Sequence, residues 1–265
     1  MVKQAVIPLA GLGTRMLPLT KALPKELWPL GSKSILEHIL DECFGAGVKQ
    51  VIFVISKNKN VIRKYFSKNK SLERIIKKKP EILKKLIYLN RISKRIKFVY
   101  QDKPSGLGHA VMCAKKYINS KYFLLLLPDD VIKGKNCIKE IISINKKRQS
   151  SVLALKQVSK NDVKRYGVVG FSNKKKFKIN KMVEKPSIGN APSRYVIIGR
   201  YLLNKSIFKF LKKQKSGRSG EIQITDAMNA MLLKESFYGC KFKGKYLDCG
   251  TVEGYIKSFI EINKQ

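Results

Sequence analysis

Ala5-Val6-Ile7-Pro8-Leu9-Ala10 runs straight into Gly11-Leu12-Gly13-Thr14-Arg15, and the fold is decided at this junction. An apolar run so short, closed by glycine, predicts a strand buried on both faces rather than a helix. Beyond this junction, residues 34–45 read as a helix. Ser34 and Glu37 stand at capping-box spacing, Ile35, Leu36, Ile39, Leu40 and Cys43 make one apolar face, and Gly45 and Gly47 stop it. Val51-Ile52-Phe53-Val54-Ile55 predicts a second buried strand. Residues 58–95 form a lysine-rich helical stretch in which Pro80 opens a second helix.

Strand and helix then keep alternating. Residues 96–100 are strand-like, 109–116 helical, and 122–127 form the most apolar strand, ending in Pro128-Asp129-Asp130. Residues 138–145 predict a helix and 151–155 a strand, and shorter strand candidates follow at 167–171, 178–183 and 196–202. Such alternation predicts an α/β, Rossmann-like architecture: a mostly parallel central sheet flanked by helices. Ligands in such folds sit at the carboxyl ends of the strands, so the residues from Gly11 onwards, Gln101 and Asp129 should converge on one crevice. No repeat or linker interrupts the chain, which predicts a single domain over residues 1–265.

The charge balance narrows the partners. Lys and Arg number 56 against 18 Asp and Glu, a formal net charge of +38. Such a field attracts polyanions, and a basic nucleic-acid-binding protein is the competing functional class. The lysines are spread along the whole chain, however, with no aromatic interleaving and no recognition module, so no specific nucleic-acid partner is expected. Cys43, Cys113, Cys137, Cys240 and Cys249 are odd in number and lack Cys-x-x-Cys spacing, which fits a reducing, cytoplasmic setting. No apolar run is long enough to span a membrane.

Gly11 and Gly13 let the backbone approach an anion after the first strand. Position 16 is Met, so the dinucleotide fingerprint fails at its third glycine, and no P-loop string exists. Arg15 and Lys25 instead flank a proline-rich loop, Met16-Leu17-Pro18-Leu19-Thr20-Lys21-Ala22-Leu23-Pro24-Lys25-Glu26.

This string resembles the signature of the sugar-1-phosphate nucleotidyltransferases, and Pro24-Lys25-Glu26 is similar to the bacterial UTP–glucose-1-phosphate uridylyltransferases within them. Further matches run in order: Gln101 with Gly106-Leu107-Gly108-His109-Ala110, Leu127-Pro128-Asp129-Asp130, Tyr166-Gly167-Val168-Val169, Val183-Glu184-Lys185-Pro186, Gly199-Arg200-Tyr201, Glu221-Ile222-Gln223-Ile224-Thr225-Asp226-Ala227 and Asp248-Cys249-Gly250.

The resemblance implies the nucleotide-diphospho-sugar transferase fold, with residues of about 1–135 binding nucleotide and about 136–265 binding sugar phosphate. It implies transfer from UTP to α-D-glucose 1-phosphate with Mg²⁺ as cofactor, in a homo-oligomer. A thymidylyltransferase using dTTP is the alternative. By resemblance, Ala10, Gly11, Gly13, Gln101 and Gly106 bind the nucleotide, and Arg15, Lys25, Asp129 and Lys185 are catalytic. Gly167, Glu184 and Gly199 meet the sugar, and Asp129 and Asp248 hold the metal, with Asp130 the competitor for the first metal position. Glu221 and Asp226 are expected to cap a helix, and His38 and His109 to be structural.

Overall fold

The computed structural model describes residues 2–214 and 220–264. β1 (Gln4–Pro8) leads through the glycine loop and a two-strand ribbon, β2 (Pro29–Leu30) and β3 (Lys33–Ser34), into α1 (Ile35–Gly45) and β4 (Gln50–Ile55). Helices α2 (Asn60–Tyr65), α3 (Lys70–Ile75) and α4 (Pro80–Ser93) precede β5 (Ile96–Tyr100), α5 (Gly106–Cys113), β6 (Tyr122–Leu126) and β7 (Asp130–Lys133). Then come α6 (Cys137–Arg148), β8 (Ser151–Gln157), β9 (Gly167–Asn173), β10 (Lys178–Glu184) and β11 (Tyr195–Asn204). The chain ends through α7 (Ile207–Lys213), α8 (Ile224–Met231), β12 (Phe237–Lys241), β13 (Lys245–Asp248) and α9 (Val252–Asn263).

One sheet of nine strands, ordered β5-β4-β1-β6-β11-β8-β12-β10-β9, carries both halves. Its first four strands are parallel, as the βαβ alternation predicts. Beyond them it is mixed. β11 runs antiparallel to both β6 and β8, β12 parallel to β8, and β10 antiparallel to β12 and β9. The unbroken run of parallel strands therefore belongs to the N-terminal half, where crossover connections return the chain to the same end of the sheet.

The continuous apolar runs have a direct cause: helices cover both faces of the sheet. Ala5, Ile7, Val51, Phe53, Ile55, Leu124 and Leu126 enter one buried cluster. Their alternates Val6, Ile52, Val54, Phe123 and Leu125 enter the other. With side chains alternating at period two, both faces need apolar residues.

α1 starts as its sequence predicts. Ser34 Oγ accepts from the Glu37 amide at 3.3 Å and Glu37 Oε2 accepts from the Ser34 amide at 2.8 Å. Such a cap stabilises by about 1 kcal/mol. α4 opens on Pro80, also as expected. α5 is displaced from its expected span: it starts at Gly106 and ends at Cys113, with a separate turn at Lys115–Tyr117. The glycines of Gly106-Leu107-Gly108 open the helix because residues 221–222 press on it. The Gly108 amide donates to the Ile222 carbonyl at 2.8 Å and the Ile222 amide to the Ser105 carbonyl at 2.9 Å.

Candidate active site

The loop after β1 wraps the carboxyl end of the parallel strands. Gly13 has φ 69, in the left-handed region where a side chain is strained, and Thr20 Oγ1 donates to its carbonyl at 2.9 Å. Gly106 has φ 89, and a Cβ there would sit 2.9 Å from the Ile222 carbonyl oxygen. Both positions bring backbone close to a cleft of about 580 Å³. Ala10, Gly11, Gly13, Arg15, Lys25, Gln101, Gly106 and Asp129 all line it. So do Glu26, Glu221, Gln223 and Gly250, and the last three come from the second half of the chain.

A second cavity, of about 440 Å³, adjoins the first and shares Arg15, Leu107, Leu127, Asp129 and Gln223 with it. Gly167, Glu184, Lys185 and Asp248 line this one. Glu184 is held by Thr225, whose Oγ1 donates to Oε2 at 2.7 Å. Lys185 sits in the left-handed region at φ 42, with its amide donating to the Tyr166 carbonyl at 3.0 Å. A side chain costs on the order of 1–3 kcal/mol there, and such strain persists only where the surrounding structure holds it in place. Gly199 lines neither cavity. Its amide donates to Asp130 Oδ2 at 2.8 Å and its carbonyl accepts from Leu127 and Arg200, so it supports the cleft from beneath.

The two cavities meet at a carboxylate knot. Lys25 Nζ donates to Asp129 Oδ2 at 2.6 Å, and Arg15 Nη2 lies 3.6 Å away. Burial would raise the Asp129 pKa, but the Lys25 ammonium, its hydrogen bond and Arg15 outweigh burial and hold the carboxyl below its usual range. Asp130 goes the other way: burial, then the charge of Asp129, push it up to about 6. Both Asp130 oxygens are committed, Oδ1 to the Tyr246 hydroxyl at 2.6 Å and Oδ2 to the Gly199 amide. Asp129 is therefore the carboxylate available to a ligand.

Asp248 arrives by a pairing that strand patterns did not reveal. β7 and β13 run antiparallel with Asp130 opposite Asp248. The Cys249 amide donates to the Asp129 carbonyl at 2.8 Å, tying the two strand ends together. A Cβ at Gly250 would lie 2.9 Å from Asp129 Oδ2, 3.1 Å from Asp248 Oδ1 and 3.3 Å from Arg15 Nη2, so the two carboxylates flank one small space. This donor set is hard and oxygen-only, and it suits Mg²⁺, which takes one or two carboxylates and fills its shell with phosphate oxygens and water. Asp248 is also paired with Arg165, 3.3 Å from Oδ2.

Residues outside the expected set complete the cleft: Arg165, Tyr166, Tyr201, Thr225 and Tyr246. Thr225 lies within the quoted Glu221–Ala227 match, but Arg165 and Tyr246 carry no spacing signal at all. Glu221 faces the cleft instead of capping: α8 has Gln223 at its cap, without a side-chain cap bond. His38 is structural, its Nε2 2.7 Å from the Leu30 carbonyl. Burial pushes the Cys249 thiol up to about 12, the opposite direction from that of an activated thiolate.

The nucleotidyl transferase family model matches residues 4–265. The chain belongs to the nucleotidyl transferase family. UTP–glucose-1-phosphate uridylyltransferase 1 of Staphylococcus saprophyticus is 38% identical over 265 residues, spanning 98% of this chain and 92% of that one. A UDP-glucose pyrophosphorylase solved with UDP-glucose superposes with a TM-score of 0.87 at 33% identity, covering 98% of each chain. The UTP-bound enzyme of Acinetobacter baumannii gives 0.90 at 32%, covering 98% of this chain and 93% of that one. The glycine loop after β1 lines one cavity, and a second cavity adjoins it. Among the described residues no helix is long and apolar enough to cross a membrane.

Proposed function

We propose that this nucleotidyl transferase transfers the uridylyl group of UTP to α-D-glucose 1-phosphate, giving UDP-glucose and pyrophosphate. The carrying observation is the double cleft, whose halves meet at Arg15 and Asp129. The names and bound ligands of the relatives support the choice of UTP and glucose.

A phosphate oxygen of the sugar phosphate attacks the α-phosphorus in line. The new P–O bond forms as the bond from that phosphorus to the α–β bridging oxygen breaks, and its electron pair leaves with pyrophosphate. No covalent enzyme intermediate is required, so catalysis is positioning plus charge stabilisation. Arg15, with its planar fork, holds the leaving pyrophosphate, and Lys25 neutralises the α-phosphate region. Lys185 grips the sugar phosphate and Glu184 accepts from sugar hydroxyls. Gln101 meets the uracil edge. Asp129 and Asp248 would hold Mg²⁺, which supplies positive charge to phosphate oxygens when bound. The five free thiols fit work in the reducing cytoplasm.

The test is kcat/KM across UTP, dTTP, CTP, ATP and GTP, each with glucose 1-phosphate and galactose 1-phosphate. UTP with glucose 1-phosphate should rank first. A preference for dTTP of about tenfold, worth about 1.4 kcal/mol, would transfer the assignment to thymidylyl transfer.

A further inference from the structure

Gln101 follows β5 at the floor of the nucleotide cleft, 5% exposed, its amide anchored on the Ile55 carbonyl at 2.9 Å. Its carboxamide is not free to choose an orientation. Nε2 lies 3.3 Å from the Gly106 carbonyl, which can only accept, a long contact that favours the NH₂ group on that side. The same Nε2 lies 2.9 Å from His109 Nδ1. With one proton on Gly106, the other is directed at Nδ1, which must then carry a lone pair. The imidazole is thereby the Nε2–H tautomer. No donor among the described residues reaches Gln101 Oε1, and Gln101 lines the cleft.

We infer that His109 is a positioning residue for base selection, locking the Gln101 carboxamide so that only its oxygen faces the base. This rests on the proposed placement of uracil at Gln101. A fixed acceptor pairs with the N3–H of uracil and equally with that of thymine. Cytosine has a lone pair at N3, and that lone pair would face the oxygen. His109 itself lies one turn into α5 and does not line the cleft, so its Nδ1 meets Gln101 from outside the cleft. Replacing His109 leaves only the long 3.3 Å contact with Gly106 to hold the orientation, weak enough for the carboxamide to rotate and present NH₂, the group that cytosine N3 accepts from.

The lock makes a pattern that general damage does not. In His109→Leu, the Kd for UTP and for dTTP should both rise about tenfold, while that for CTP should hold or fall. The UTP-to-dTTP ratio should stay constant, kcat should be unchanged and KM for UTP should carry the loss. His109→Asn places Oδ1 near the position of Nδ1 and should restore wild-type selection, because it again offers an acceptor. Calorimetric titration of both variants and the wild-type protein with UTP, dTTP and CTP reads all of this. If His109→Leu keeps the UTP-to-CTP ratio, weakens all three nucleotides alike, or separates UTP from dTTP, the lock is wrong. It is equally wrong if His109→Asn fails to restore selection. A wild-type protein with no preference for UTP over CTP would overturn both the lock and the base assignment.

Discussion

Asp129→Asn should lower kcat by more than about a hundredfold while the protein still folds, with a smaller loss of melting temperature than Glu42→Ala because Lys25 keeps its hydrogen bond. Partners that merely orient a metal ligand cost about 10–100-fold when removed, so a direct ligand should exceed that range. The amide is nearly isosteric and still accepts from Lys25, which lies 2.6 Å from Asp129 Oδ2, so the fold keeps its packing. Asp248→Asn should lose activity on the same scale, and the double variant should be little worse than either, since both carboxylates would act through one ion. EDTA should abolish turnover, and Mg²⁺ or Mn²⁺ should restore it. Asp130→Asn is the control: both its oxygens already hold Tyr246 and Gly199, so its loss should be smaller. A silent Asp129→Asn beside a crippling Asp130→Asn would assign the ligand to the neighbouring residue.

The largest stability effect should come from Glu42→Ala. Arg200 is fully buried, and its Nε donates to Glu42 Oε2 at 2.9 Å; Nη2 lies 2.9 Å from the same oxygen but off the hydrogen-bonding direction. Its Nη1 donates to the carbonyls of Leu127 and Gly199, directly behind Asp129. Removing Glu42 leaves a buried cation without its counter-ion, which costs about 3–5 kcal/mol. For a chain of this size that lowers Tm by on the order of 10 °C. Glu42→Leu with Arg200→Met should recover most of the loss, because an apolar pair needs no charge compensation. A Glu42→Ala protein that melts with the wild type would contradict the account of this ion pair.

How much could be read from the amino-acid order follows from which signals are local. The strands around β1, the α1 cap and the helix opening at Pro80 depend on neighbours in sequence, and they fall where the residues put them. The convergence of Gly11, Gln101 and Asp129 follows from strand ends in a parallel sheet. The mixed second half was not legible, since antiparallel insertion of β11 beside β6 is a long-range pairing. Ile222 pressing on Gly108, and Asp130 facing Asp248 across β7 and β13, are long-range as well. Motif resemblance reached Asp248, but only the fold explains how it meets Asp129. Arg165 and Tyr246 could not be singled out among so many basic and aromatic residues by spacing.

Attack of a sugar-phosphate oxygen on the α-phosphorus of UTP is read out by turnover with α-D-glucose 1-phosphate carrying ¹⁸O in its phosphate, followed by mass spectrometry and ³¹P spectroscopy of the products. All label should stay in UDP-glucose, including its bridging oxygen, and pyrophosphate should be unlabelled. Label in pyrophosphate, or UDP-glucose lacking a labelled bridge, would contradict it.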